Sequence, residues 1–215
     1  MPQSTVAAVR KQIEAGRPDP IYLIHGGDEI EKSALTDGFI GLVEEEVRAF
    51  NVDKFHGGDL ATSDKLVNGI GSIVAAARTL PMMSPRRIIL VRQAEGLLTP
   101  RRESEAAAGA YALFEELLNR PEPQTTLVLV ADSVDKRSRL YKLLVKQATL
   151  VECGTIEHPA AAERWVRSRV AAAGQVIDPG AASLLAVCAG TNMKRLRSDV
   201  DRLLLYTLGQ KRITV

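Results

Sequence analysis

Short apolar runs alternate with helical segments through the first 150 residues, and that alternation leaves few folds open. Ile21–His25 (IYLIH) stands behind Pro20 and is bounded by Gly26-Gly27, as expected of a buried strand. Arg87–Val91 (RIILV) and Thr125–Val130 (TTLVLV) read the same way, the latter rich in β-branched residues. Asn51–Phe55 is a weaker strand, and Leu150–Val151 ends a fifth. Between them, Asp28 caps a helix expected to run to about Arg48, with Ile30, Leu35, Phe39 and Leu42/Val43 on one side. A second helix starts at Ser63 with Leu66, Val67, Ile70 and Val74 inward. Arg101–Ala108 reads as a solvated loop leading into a helix over Tyr111–Leu118, and Lys136–Lys146 as a basic amphipathic helix. Strands alternating with helices imply a mostly parallel sheet covered on both faces.

From Pro159 onward only helical segments follow, at Ala160–Ala173, Pro179–Ala189 and Met193–Leu208. Gly174, Asp178-Pro179 and Gly190 separate them, with Asp178 and Thr191 or Asn192 as caps and Pro179 in a first turn. The expected fold class is therefore α/β: a parallel sheet of the RecA/P-loop type over residues 1–155, then a small three-helix lid over 156–215. This order resembles the layout of an AAA+ ATPase module. The likeness is one of architecture, and architecture alone assigns no activity.

Composition removes several classes of function. Apolar residues make up 46% and charged residues 25%, ordinary for a packed globular chain. A net charge of only +2 gives no whole-chain case for nucleic-acid or membrane binding, so any basic surface must be local. Aromatic residues at 4% argue against a stacking platform for single strands. No apolar run is long enough to span a bilayer, and Met1–Arg17 has no signal-peptide core, so the expected location is the cytoplasm. Cys153 and Cys188 form no CxxC pair, and His25, His56 and His158 make no ligand spacing; no metal and no cofactor is expected.

One loop carries the outline of nucleotide chemistry. After IYLIH, the run Gly26-Gly27-Asp28-Glu29-Ile30-Glu31-Lys32-Ser33 can be laid on G-x-x-x-x-G-K-[ST]. Gly26, Lys32 and Ser33 match. Glu31 stands where the second glycine lets backbone wrap a phosphate, and Asp28 and Glu29 add negative charge that repels a polyanion. The apolar strand Ile88–Val91 runs into Arg92, where a hydrolase needs an acidic metal ligand, and Glu95 lies a turn beyond. The loop reads either as a relic that does not bind ATP or as a chance match. No catalytic residue is assigned.

The collinear combination of PIYLIHGGDEIEKSAL, NVDKFHGGDL, Ala77–Glu95 (ARTLPMMSPRRIILVRQAE), LVLVADSVDKRSRLYKLL and the closing GTNMKRLRSDVDRLLLY resembles the delta subunit of the bacterial DNA polymerase III clamp loader, over essentially the whole chain. That resemblance implies an AAA+ shape without ATPase activity, in a subunit of a DNA-directed DNA polymerase holoenzyme, a nucleotidyltransferase complex. It implies a protein that grips the ring-shaped sliding clamp (beta) and opens it or holds it open for loading onto primed DNA. Its partners are then the clamp, the clamp-loader ATPase and delta-prime subunits, and DNA through the assembled complex, with no membrane and no small-molecule substrate. The family's clamp contact is an apolar residue, a spacer and two large apolar residues, here Leu80, Pro81 and Met82-Met83. Methionines are a mild departure that keeps an adaptable apolar surface. From the residues alone, a proline-framed apolar connector either caps the core or presents a contact; the resemblance favours the contact.

Arg86 and Arg87 beside the tip are candidates for steering an acidic clamp surface, or simply a solvated start to a strand. Lys136, Arg137, Arg139, Lys142 and Lys146 form either a face for a neighbouring subunit or DNA, or a solvated basic face. Ser138-Arg139 is followed by Leu140 where an arginine-finger motif has cysteine. Lys194, Arg195 and Arg197 stand near an AAA+ phosphate-sensor position and read as structural or interfacial. In the family a third, helical collar domain follows the lid. This chain stops at Val215, so it is expected to lack the collar, to bind the clamp and to assemble poorly with partner subunits. The competing readings are a P-loop NTPase with a degenerate Walker A, and another catalytically dead AAA+ subunit.

Overall fold

The structure, a computed structural model, describes residues 4–60, 62–99, 104–154, 156, 158–190 and 192–214. The chain divides into two compact units, Met1–Cys153 and Gly154–Val215.

In chain order the first unit contains α1 (Val6–Glu14), β1 (Ile21–Gly26), α2 (Glu29–Ile40), α3 (Arg48–Asn51), β2 (Val52–His56), α4 (Ser63–Arg78), β3 (Arg87–Arg92), α5 (Glu95–Leu98), α6 (Glu105–Asn119), β4 (Thr125–Ala131), α7 (Arg139–Gln147) and β5 (Thr149–Cys153). The five strands form one sheet in the order β2-β3-β4-β1-β5, and every pairing is parallel. Successive side chains of a strand point to opposite faces. Ile21, Leu23, Ile89, Val91, Leu127 and Leu129 therefore pack on one side, against α4, α6 and α7 through residues such as Ile70, Phe114 and Leu144. Tyr22, Ile24, Ile88, Leu90, Val128 and Val130 pack on the other, against Val9 of α1 and Leu35 and Phe39 of α2. Both faces are covered, which is why these strands read as unbroken apolar runs. The buried Tyr22 hydroxyl donates to Gln12 Oε1 (2.9 Å) and accepts from the Asp19 amide (2.8 Å), so its polar tip is satisfied.

Several elements differ from expectation. The helix after Asp28 ends at Ile40 with Gly41 as its cap, not near Arg48; a 3-10 turn at Glu45–Val47 and the short α3 fill the remainder. Ile30 is 57% exposed instead of inward, because the buried stripe of α2 runs through Leu35, Thr36 and Phe39. Helix α6 begins at Glu105, six residues earlier than expected, because Ser104 accepts the Ala107 amide as an N-cap. Residues 101–103 of the expected loop lie outside the described residues. Helix α7 begins only at Arg139, where the Ser138 hydroxyl accepts the Tyr141 amide. Helix α1 is an addition to the expected elements.

The second unit holds α8 (Pro159–Ala172), β6 (Val176–Ile177), α9 (Pro179–Ala189), α10 (Met193–Tyr206) and β7 (Arg212–Ile213). Three helices were expected; the parallel pair β6-β7 is an addition. Gln175 helps to hold that junction by donating to Thr207 O (2.7 Å) and Gln210 O (2.8 Å). Val166, Val170, Ala182, Ala186, Leu196, Val200 and Ile213 form its core. Asp178 is the N-cap residue of α9, and Asn192 caps α10 through the Arg195 amide (3.0 Å); Thr191 lies outside the described residues.

Candidate functional site

The loop after β1 is built by local necessity. Gly26 has φ +124, and a Cβ there would lie 1.9 Å from the Cys153 carbonyl oxygen of β5. Glycine is thus required by sheet packing, whatever the loop binds. The Asp28 carboxylate accepts the amides of Ile30 and Glu31, each at 3.1 Å, and so occupies the start of α2. Lys32 is 2% exposed. Its ammonium meets Glu29 at 2.6 Å and contacts Asp132 at the end of β4. Burial opposes its charge, yet the hydrogen bonds and charges of Asp132 and Glu29 hold its pKa above the ordinary lysine value. Two of the loop's expected repulsive charges are therefore engaged within the chain, Asp28 by the helix and Glu29 by Lys32.

Of the five residues assigned to this region, Lys32, Ser33 and Arg92 line one cavity of about 420 Å³, together with Glu29, His56 and Asp132. Gly26 and Glu31 do not line it. The Cys153 thiol is raised to about 12, first by burial and then by the charges of Glu31 and Asp28, which keeps it a neutral core group. Glu95 is nearer than its spacing suggested: α5 turns it back so that its carboxylate accepts the Asp132 amide. Buried His25 has its pKa lowered, chiefly by desolvation, and behaves as a core residue. No group of three or more His, Cys, Asp or Glu able to hold a metal ion occurs among the described residues.

The apolar connector lies at the other end of β3. Helix α4 stops at Arg78, and Leu80, Met82 and Met83 are 73%, 54% and 86% exposed. These side chains do not cap the core. Met83 has φ +52, a left-handed conformation uncommon for a residue with a side chain. Fully buried Asn51, the last residue of α3, holds this segment: its Nδ2 donates to Met82 O and its Oδ1 accepts from Met82 N, both at 2.7 Å. Arg86 and Arg87 do not project as free steering charges. Arg86 donates to the Thr126 hydroxyl (2.9 Å); Arg87 pairs with Asp53 (2.6 Å) and donates to Phe50 O (2.7 Å). They brace the base of the tip against the sheet.

A family model described as DNA polymerase III, delta subunit, matches residues 42–154, a little over half of the chain and the stretch that contains the tip. The chain belongs to the DNA polymerase III delta-subunit family. DNA polymerase III subunit delta of Bacillus subtilis (strain 168) is 26% identical over 147 residues, which is 67% of this chain and 40% of that protein. The chain thus spans well under two thirds of the length of that relative. The solved Bacillus subtilis DNA clamp loader delta protein has the same fold, with a TM-score of 0.63 at 22% identity, covering 97% of this chain and 60% of that one.

Elsewhere in this delta-family chain the basic candidates divide between paired and exposed side chains. Ser138 is the α7 cap and Arg139 pairs with Glu115 at 2.6 Å; Lys136, Arg137, Lys142 and Lys146 are exposed. In the second unit Arg197 lies over the Trp165 ring at 5.4 Å. Sequence reasoning missed Asn51, Asp132 and the 56%-exposed Phe50 as parts of these two regions. Local sequence carried no signal for the first two, because each acts on a residue far away in the chain. Phe50 is an aromatic residue in a polar stretch, which is the kind of signal a search for surface anchors would have flagged. No helix of the described residues is long and apolar enough to cross a membrane.

Proposed function

We propose that this chain is the clamp-gripping part of a delta subunit: the Leu80–Met83 tip binds a sliding clamp and helps to open the ring or hold it open for loading onto primed DNA, in the cytoplasm. The observation that carries the reading is the tip itself, with large apolar side chains held outward on a braced connector. Isolated exposed apolar residues are ordinary. Leu80, Met82 and Met83 within four residues, on a backbone fixed by a buried side chain, make a compact contact surface suited to a hydrophobic pocket on a partner. The names of the two Bacillus subtilis matches support the clamp loader as the setting. The partners we propose in that setting are the sliding clamp and the ATPase and delta-prime subunits.

This chain acts without hydrolysing ATP, on our reading. The residues do not fit a nucleotide: the amides at the start of α2 are taken by Asp28, Lys32 is neutralised by Glu29 and Asp132, and Arg92 stands where an acidic metal ligand is needed. The cavity beside Lys32 is what remains in favour of the P-loop NTPase reading. Calorimetry of this chain with its cognate clamp, wild type beside the Leu80→Ala/Met83→Ala double variant, tests the proposal. Binding that disappears in a folded double variant supports it; absence of binding by the wild type overturns it.

A further inference from the structure

We infer that Asn51 is a positioning residue that pre-organises the Leu80–Met83 tip for its partner, an inference that rests on the clamp-binding reading of that tip. Left to itself, a connector with three exposed apolar side chains would settle against the protein. A cavity of about 170 Å³ lies beside it, lined by Ala77, Thr79, Leu80, Pro81 and Pro123 among others. Folding back would remove apolar surface from water, and that is favourable. Something must therefore hold the segment out.

The Asn51 amide has the right form for this. It offers a donor and an acceptor in the geometry of a peptide group, and it uses both on one residue, Met82, as a single rung of a sheet would. Nδ2 also donates to Val47 O at 2.9 Å. Two carbonyl oxygens on one side and an amide N–H on the other fix which way the side-chain amide points. Asn51 is itself anchored, because the next residue, Val52, pairs with Ile88 at the start of β2 and β3. The sheet thus holds Asn51, and Asn51 holds the tip. With Met82 fixed and Pro81 before it, the left-handed turn at Met83 directs its side chain into solvent. Ordering the tip is then completed on folding, and association loses less conformational freedom.

The test compares wild type with Asn51→Leu, which keeps the buried volume, and with Asn51→Ala as a second variant. Amide exchange is read at Met82 and, as a control for the sheet, at Leu90 and Leu129. In the wild type Met82 should be protected. In Asn51→Leu its exchange should rise roughly a hundredfold while the sheet amides stay protected, and clamp affinity should fall about tenfold. A positioning role also predicts non-additivity: Asn51→Leu should cost less affinity in a Met83→Ala background than in the wild type. A merely structural role would weaken the two backgrounds equally. Rapid exchange at Met82 in the wild type, or unchanged clamp affinity once Met82 has been freed, overturns the inference. If the wild type binds no clamp, the clamp reading and the purpose given to Asn51 fail together; protection at Met82 that is lost in Asn51→Leu distinguishes that result from failure of the hold itself.

Discussion

At the C-terminal end of β3, Arg92 faces a cavity in which Lys32 is already matched by Glu29 and Asp132, and Asp28 already satisfies the start of α2. At the N-terminal end of the same strand, the connector holds Leu80, Met82 and Met83 outward while its backbone is bound by Asn51. The first region has polar groups that could attract a ligand, but they answer one another. The second has apolar groups that stand largely exposed, on a backbone that Asn51 holds at Met82. The difference teaches where to look for function on a parallel sheet covered by helices. A cavity whose charges answer one another has little left to offer a ligand, whereas an exposed apolar tip still has surface to bury.

The sharpest way to break that comparison is to remove the tip. Leu80→Ala and Met83→Ala should each cost about 1–3 kcal/mol of clamp binding and together abolish it at micromolar concentration, with little change in melting temperature. Global unfolding of either variant would show that the side chains serve the core. Next in size is Lys32→Ala, which deletes a buried stem and its charged hydrogen bonds. It should lower folding stability by about 1–3 kcal/mol in a denaturant titration and leave clamp binding as it was. A smaller effect is expected in alkali. The Cys153 thiol moves from 9.0 to about 12 on folding, so the folded state keeps a proton that the unfolded chain releases. Its contribution to stability is whole below pH 9 and is lost as pH rises from 9 toward 12. The melting temperature should fall across that window, and less steeply in Cys153→Ala. Last comes a null result: saturating Mg·ATP should leave the melting temperature unmoved, whereas occupancy of a real site would raise it by several degrees.

The sheet was legible because β1, β3 and β4 are buried on both faces and announce it as unbroken apolar runs. The short pair β6-β7 was not, since two residues are too few to show a period. Helix α1 was not legible because its inward side rests on Val9, with Val6 and Ile13 only partly buried, inside an otherwise polar stretch. The end of α2 was misjudged because apolar spacing carries on past Gly41, though the helix does not. At the two candidate regions, residue types were readable but partners were not. Asn51 reaches Met82 across 31 residues and Lys32 reaches Asp132 across 100. Such pairings are set by strand order, and only the folded sheet brings them together.

That strand order also governs the timing of assembly. The first strand made, β1, lies between β4 and β5, pairing Ile21 with Leu127 and Tyr22 with Thr149. On a ribosome, β1 must therefore wait, apolar and unpaired, until more than a hundred further residues have been added. Contacts so distant in sequence slow folding, and an unpaired apolar strand invites misassociation in the interval. Synthesis of the stretch from β1 to β5 is thus the interval in which the chain is most exposed to misassociation, and truncations ending before Thr149 should accumulate as insoluble protein.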